Sequence, residues 1–142
     1  MKEQRHISHS PEETWEIARK IVEATSGRTV LALHGELGSG KTCFVKGVAL
    51  ALEIEVPIVS PTFTIVREYN GKRPLHHVDL YRLNNPNDVL ALGFEEYLQA
   101  DGITAVEWAE RAGDLIPPDA IRIRFEALLE ADERAITVIT QE

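Results

Sequence analysis

Gly35-Glu36-Leu37-Gly38-Ser39-Gly40-Lys41-Thr42 fills the pattern G-x-x-x-x-G-K-[ST], in which glycines let successive backbone amides turn inward around phosphate oxygens. A chance match in a chain of 142 residues has odds of about 1 in 200 at average residue usage. The flanking sequence strengthens it. Thr29-Val30-Leu31-Ala32-Leu33-His34 is a short apolar run of strand formers, consistent with a central strand buried on both faces, and Lys41 to Leu52 reads as a helix. Strand, glycine loop and helix in succession place the positive end of the helix against an anion. In this arrangement Lys41 reaches the β- and γ-phosphates of a nucleoside triphosphate and the Thr42 hydroxyl ligates Mg²⁺.

Outward from the loop, helical and strand patterns alternate, which predicts an α/β domain spanning residues 1–142. Ser10-Pro11-Glu12-Glu13 opens a first helix: Ser10 is the N-cap, Glu13 completes a capping box, and Pro11 occupies N1. Trp15, Ala18, Val22 and Thr25 fall on its inner face, and Gly27 follows as a stop. Thr62 to Tyr69 and Lys72 to Leu80 flank Asn70-Gly71, the favoured dipeptide of a two-residue type I′ turn, so an antiparallel hairpin is expected after the loop helix. Pro86 to Gln99 reads as helix broken near Gly93, Ile103 to Trp108 as an apolar strand, and Ala120 to Phe125 and Ala135 to Thr140 as late strands. The fold class is a P-loop NTPase-like mixed sheet flanked by helices.

A P-loop enzyme needs an acid for Mg²⁺, usually at the C-terminal end of an apolar strand. Two segments qualify: Ile103-Thr104-Ala105-Val106-Glu107, and His77-Val78-Asp79. Glu107 is favoured for the metal and Asp79 for orienting or activating the attacking water, with the roles open to exchange. Ser60-Pro61-Thr62-Phe63-Thr64 follows the loop helix where a nucleotide-sensing segment often stands; its bland reading is a proline-containing loop feeding a strand. His76 and His77 have no spaced Cys or His to make a zinc site and read as strand histidines. Arg67, Arg82 and Arg111 read as solvated singles.

A net charge of −8, with scattered basic residues, argues against a direct tight grip on nucleic acid. Triphosphate affinity must then come from the loop itself. Cys43 is the lone cysteine, so no internal disulfide is possible, and no apolar run approaches 18 residues, which points to a cytosolic protein that does not enter membranes.

GELGSGKT, SPTFT, HHVDLYRL and VEW, in this order and at these separations, resemble the TsaE (YjeE) family of bacterial P-loop ATPases. The resemblance runs from Ser10 to about Phe125. It implies an ATPase that works with the proteins TsaB and TsaD to form N6-threonylcarbamoyladenosine at position 37 of tRNA, touching tRNA only indirectly, with ATP and Mg²⁺ as its ligands. Carried across, family roles fall on the loop positions Leu37, Gly38, Ser39 and Gly40, on Lys41 and Thr42, on Thr62 and Thr64, and on Asp79, Glu107 and Trp108 beside the nucleotide. A small GTPase is disfavoured because no Asn-Lys-x-Asp or Thr-Lys-x-Asp segment is present. A nucleoside or small-molecule kinase should bring an arginine-rich lid that is not evident. That kinase is the runner-up reading, and an assembly factor that binds ATP without hydrolysing it is a further alternative.

Overall fold

The computed structural model describes residues 1–61 and 65–141. Its centre is the strand β2 (Thr29–His34), whose Leu31 and Leu33 face one core and whose Val30 and Ala32 face another, all at 3% exposure or less. This double burial is why the segment is continuously apolar rather than alternating. On the first face, α1 (Pro11–Glu23) and α2 (Lys41–Ala51) pack together over Leu31, Leu33, Ile123 and Phe125. On the second, α3 (Pro86–Leu90), α4 (Phe94–Gln99) and 3₁₀ turns at Ala109–Leu115 cover Val30, Ala32, Val78 and Val106.

Among the described residues the sheet has seven strands, in the order β1-β7-β6-β2-β5-β4-β3. β6 (Ile121–Ala127), β2, β5 (Ile103–Glu107) and β4 (Leu75–Asp79) run parallel; β1 (Lys2–Ser8), β7 (Arg134–Thr140) and β3 (Val66–Tyr69) pair antiparallel at the two sides. The P-loop NTPase-like mixed sheet and the hairpin after the loop helix are therefore both present. No helix among the described residues is long and apolar enough to cross a membrane.

Local chemistry sets the ends of these elements. The Ser10 side chain accepts the Glu13 amide at 3.1 Å, and the Glu13 carboxylate accepts the His9 amide at 2.8 Å, one residue earlier than a standard capping box. Gly93, at φ 75°, breaks α3 from α4. Helices α1 and α2 meet at Gly47, where an added Cβ would lie 2.7 Å from the Trp15 Cα and 2.9 Å from the Ala18 Cβ.

Two features depart from the sequence reading. The β3–β4 connection is Asn70 to Pro74 rather than a two-residue I′ turn, since Tyr69 pairs with Leu75 and neither Asn70 nor Gly71 has positive φ. The Lys72 amide instead donates to the Leu52 carbonyl at 2.7 Å, with Gly71 pressed so close to that carbonyl that a Cβ would lie 2.4 Å away. The tertiary contact overrides the dipeptide's local preference. β1 is the second departure. Its exposed Lys-Glu-Gln-Arg run carries no apolar alternation, and it becomes a strand through its ladder with β7.

Candidate nucleotide site

The loop between β2 and α2 is shaped by three glycines. At Gly35 a Cβ would lie 2.6 Å from the Ser39 Oγ and 2.8 Å from the Phe125 carbonyl oxygen, so no side chain fits. Gly38 (φ 77°) and Gly40 (φ 110°) adopt left-handed conformations that L residues resist. The Ser39 amide closes a tight turn on the Glu36 carbonyl at 3.1 Å. Helix α2 then opens with the amides of Lys41, Thr42 and Cys43, which have no acceptor within the helix and carry the positive end of its dipole. The Ser39 hydroxyl is buried with no partner among the described residues, an unpaired donor inside an anion cradle.

Strands β4 and β5 deliver the acids. Asp79 and Glu107 end these parallel neighbours in register, which sets both carboxyls beside the loop. The Thr42 Oγ1 hydroxyl lies 3.1 and 3.2 Å from the two Glu107 carboxylate oxygens and donates to them. His77 Nε2 hydrogen-bonds Glu107 Oε2 at 2.6 Å from a fully buried ring. Glu107 is thus held between a hydroxyl and an imidazole. Asp79 accepts the Tyr81 amide at 2.9 Å; burial raises its pKa, and the neighbouring Glu107 charge adds to the rise, against that hydrogen bond and the attraction of His77 and Lys41.

Lys41 closes the ring of groups. Its ammonium donates to the carbonyls of Gly35 and Glu36 and sits 3.9 Å from the centre of the Trp108 ring. Burial lowers its pKa, opposed by Glu107, Glu110, Asp79 and Glu36. Trp108 reaches this position because it leaves β5 at φ 58°, ψ 43°, a left-handed conformation costing about 1–2 kcal/mol in a non-glycine residue. Tyr81 packs on its ring at 5.1 Å between centroids. The Arg111 guanidinium lies 5.5 Å from the Trp108 ring and donates to the Tyr81 and Leu83 carbonyls.

These groups wall one cavity of about 330 Å³, with Leu37 through Cys43 on one side, Asp79, Tyr81, Glu107 and Trp108 on the other, and Ser60 at its edge. A second cavity of similar volume between α1 and the sheet is lined by Ile17, Ile21, Ile121 and Val138 and holds no acid. The structure brings Leu37, Gly38, Ser39, Gly40, Lys41, Thr42, Asp79, Glu107 and Trp108 together; Thr62 and Thr64 lie outside the described residues. Sequence reasoning passed over Tyr81 and Arg134, the latter packed against Gly40. His77, read from the sequence as a strand histidine, is one, and its ring bonds Glu107. Cys43 is half-buried on the cavity wall.

The donor set suits Mg²⁺: a hydroxyl and two carboxylates are hard oxygen ligands, and this ion is characteristically bound by one or two carboxylates plus substrate phosphates. Among the described residues no cluster of three or more His, Cys, Asp or Glu side chains is placed to hold a metal ion.

Residues 8–136 match the family model described as "Threonylcarbamoyl adenosine biosynthesis protein TsaE". The chain is 40% identical over 138 residues to the tRNA threonylcarbamoyladenosine biosynthesis protein TsaE of Bacillus subtilis, covering 96% of this chain and 85% of that one. It is 37% identical over 134 residues to the Treponema pallidum protein of the same name, covering 94% and 98%. Its backbone superimposes on the crystal structure of YdiB from Bacillus subtilis with a TM-score of 0.83 at 38% identity, over 98% of this chain and 86% of that one. With the sheet, the loop and the match along nearly the whole sequence in agreement, the chain belongs to the TsaE family.

Proposed function

We propose that this chain binds Mg-ATP in the Gly35–Thr42 loop and hydrolyses its γ-phosphate, and that this cycle serves the formation of N6-threonylcarbamoyladenosine at position 37 of tRNA. The partners in this reading are TsaB and TsaD, with the transfer chemistry on TsaD and the ATPase cycle moving the partner complex between states. The observation that carries it is the convergence of Lys41, Thr42, Asp79 and Glu107 on one cavity floored by left-handed glycines. The names of its relatives supply the pathway.

The loop amides and the ammonium of Lys41, released from the Gly35 and Glu36 carbonyls, grip the β- and γ-phosphates. Thr42 and Glu107 would hold Mg²⁺, with Asp79 beside them, and the bound ion would supply charge neutralisation to the phosphate oxygens. His77 fixes the Glu107 carboxylate from behind. Asp79, with its raised pKa, is suited to orient water and accept a proton from it as the water oxygen joins the γ-phosphorus and the bridging oxygen leaves with ADP. Arg111, stacked on Trp108, has its guanidinium committed to two carbonyls, so charge stabilisation from an arginine is assigned to a partner. The net charge of −8 likewise leaves tRNA to the partners.

Phosphate release measured with and without TsaB and TsaD tests the reading. Slow turnover alone and at least tenfold acceleration with the pair is the expected result. Fast turnover by the isolated chain, or none in any mixture, would overturn it.

A further inference from the structure

Strand β7 begins at Arg134, and this partly exposed side chain lies against the phosphate loop. Its Nη2 donates to the Gly38 carbonyl at 3.3 Å. Its Nη1 donates to the carbonyls of Ala131 and Glu133, both at 2.9 Å. Nε is buried without a partner among the described residues, 3.6 Å from where a Cβ on Gly40 would be. The turn that presents it is itself tied, the Leu128 amide donating to the Glu133 carbonyl and the Glu133 amide to the Glu130 carbonyl, each at 3.1 Å. One guanidinium therefore joins the β6–β7 turn to both left-handed glycines of the loop.

Glycine has the largest conformational freedom to lose, so a loop built on it needs outside support to keep its amides turned inward before a ligand arrives. We infer that Arg134 is a positioning residue of the nucleotide site: by capturing the Gly38 carbonyl and filling the space beside Gly40, it holds the loop in its phosphate-receiving form. This rests on the reading of the loop as a triphosphate site. The planar fork matters, because two carbonyl groups on one segment and one on another are reached at once, which a single ammonium does not reproduce. Acting through the loop backbone, Arg134 serves any polyphosphate equally and is indifferent to base and ribose.

Calorimetric titration of Arg134→Gln and Arg134→Lys with Mg-ATP and with inorganic tripolyphosphate, alongside the thermal midpoint without ligand, tests this. Arg134→Gln should weaken both ligands by the same factor, about tenfold, the value of one charge-assisted hydrogen bond, and Arg134→Lys by a smaller but matching factor. Wild-type affinity for both ligands in a folded variant overturns the inference. So does weaker ATP binding with tripolyphosphate unchanged, which would make Arg134 a nucleoside contact. If Arg134→Gln does not fold, Arg134→Lys decides by the same comparison. A wild-type protein that binds neither ligand defeats the nucleotide-site reading itself; binding lost in Lys41→Ala but intact in both Arg134 variants defeats this inference alone.

Discussion

Replacing Lys41 by methionine separates what the lysine does for a triphosphate from what it does for the fold itself. In the folded chain the ammonium gains hydrogen bonds to two loop carbonyls and a cation–π contact at 3.9 Å, interactions of about 1.5–3 and up to about 2 kcal/mol in favourable cases. Burial removes water from the same group, and the lowered pKa says that this loss outweighs the attraction of the four surrounding acids. A cation whose folded pKa lies below its unfolded value opposes folding at every pH below the folded pKa, and the opposition fades only as pH rises toward the unfolded value. At pH 7, then, Lys41→Met should leave the ligand-free protein at least as stable as the wild type. The ligand reverses the comparison. At a Mg-ATP concentration one hundred times Kd, binding stabilises the wild type by about 2.7 kcal/mol, or about 10 °C in Tm for a domain of this size. The methionine variant should shift by less than about 2 °C at the same concentration. Scanning fluorimetry with and without nucleotide reads both numbers; equal nucleotide shifts in the two proteins would refute the assignment of Lys41 to the phosphates.

Glu107→Gln keeps groups that can bond Thr42 and His77 but removes the charge, so phosphate release should fall about 10²-fold while ADP affinity in the absence of metal changes little; wild-type turnover would remove Glu107 from the chemistry. Asp79→Asn should stabilise the ligand-free protein at pH 7, because a carboxyl with a raised folded pKa weakens the fold once ionised. That gain should shrink as pH falls toward about 4, and urea unfolding that shows it growing on acidification would contradict the burial argument. Gly47→Ala drives a methyl into the backbone of α1 at Trp15 and should lower stability by about 1–3 kcal/mol, read as a Tm drop of several degrees with nucleotide affinity retained.

What could be read without a structure follows from where the information lies. β2, α2 and their glycine loop are local in sequence, and a strand buried on both faces announces itself as an unbroken apolar run. Glu107 and Asp79 were legible as acids at the ends of apolar strands, and Gly93 as a helix break. The Asn70-Gly71 turn misled because its geometry is set by the Leu52 carbonyl, eighteen or more positions earlier. The His77–Glu107 contact spans thirty positions and Arg134–Gly38 ninety-six, and no periodicity encodes either. β1 illustrates the same limit in backbone form, since a polar segment is made a strand by the neighbour it zips to.

That zipper has a mechanical consequence. Ser8, the last residue of β1, pairs with Arg134, the first of β7, and the Ser8 hydroxyl is tied to Thr14 at 2.7 Å. Trimming residues 2–8 would strip β7 of its outer neighbour and leave a bare row of amides and carbonyls open to other chains. It would also slacken the strand whose first side chain braces Gly38, so that an alteration in the opening residues is felt where the phosphates would lie.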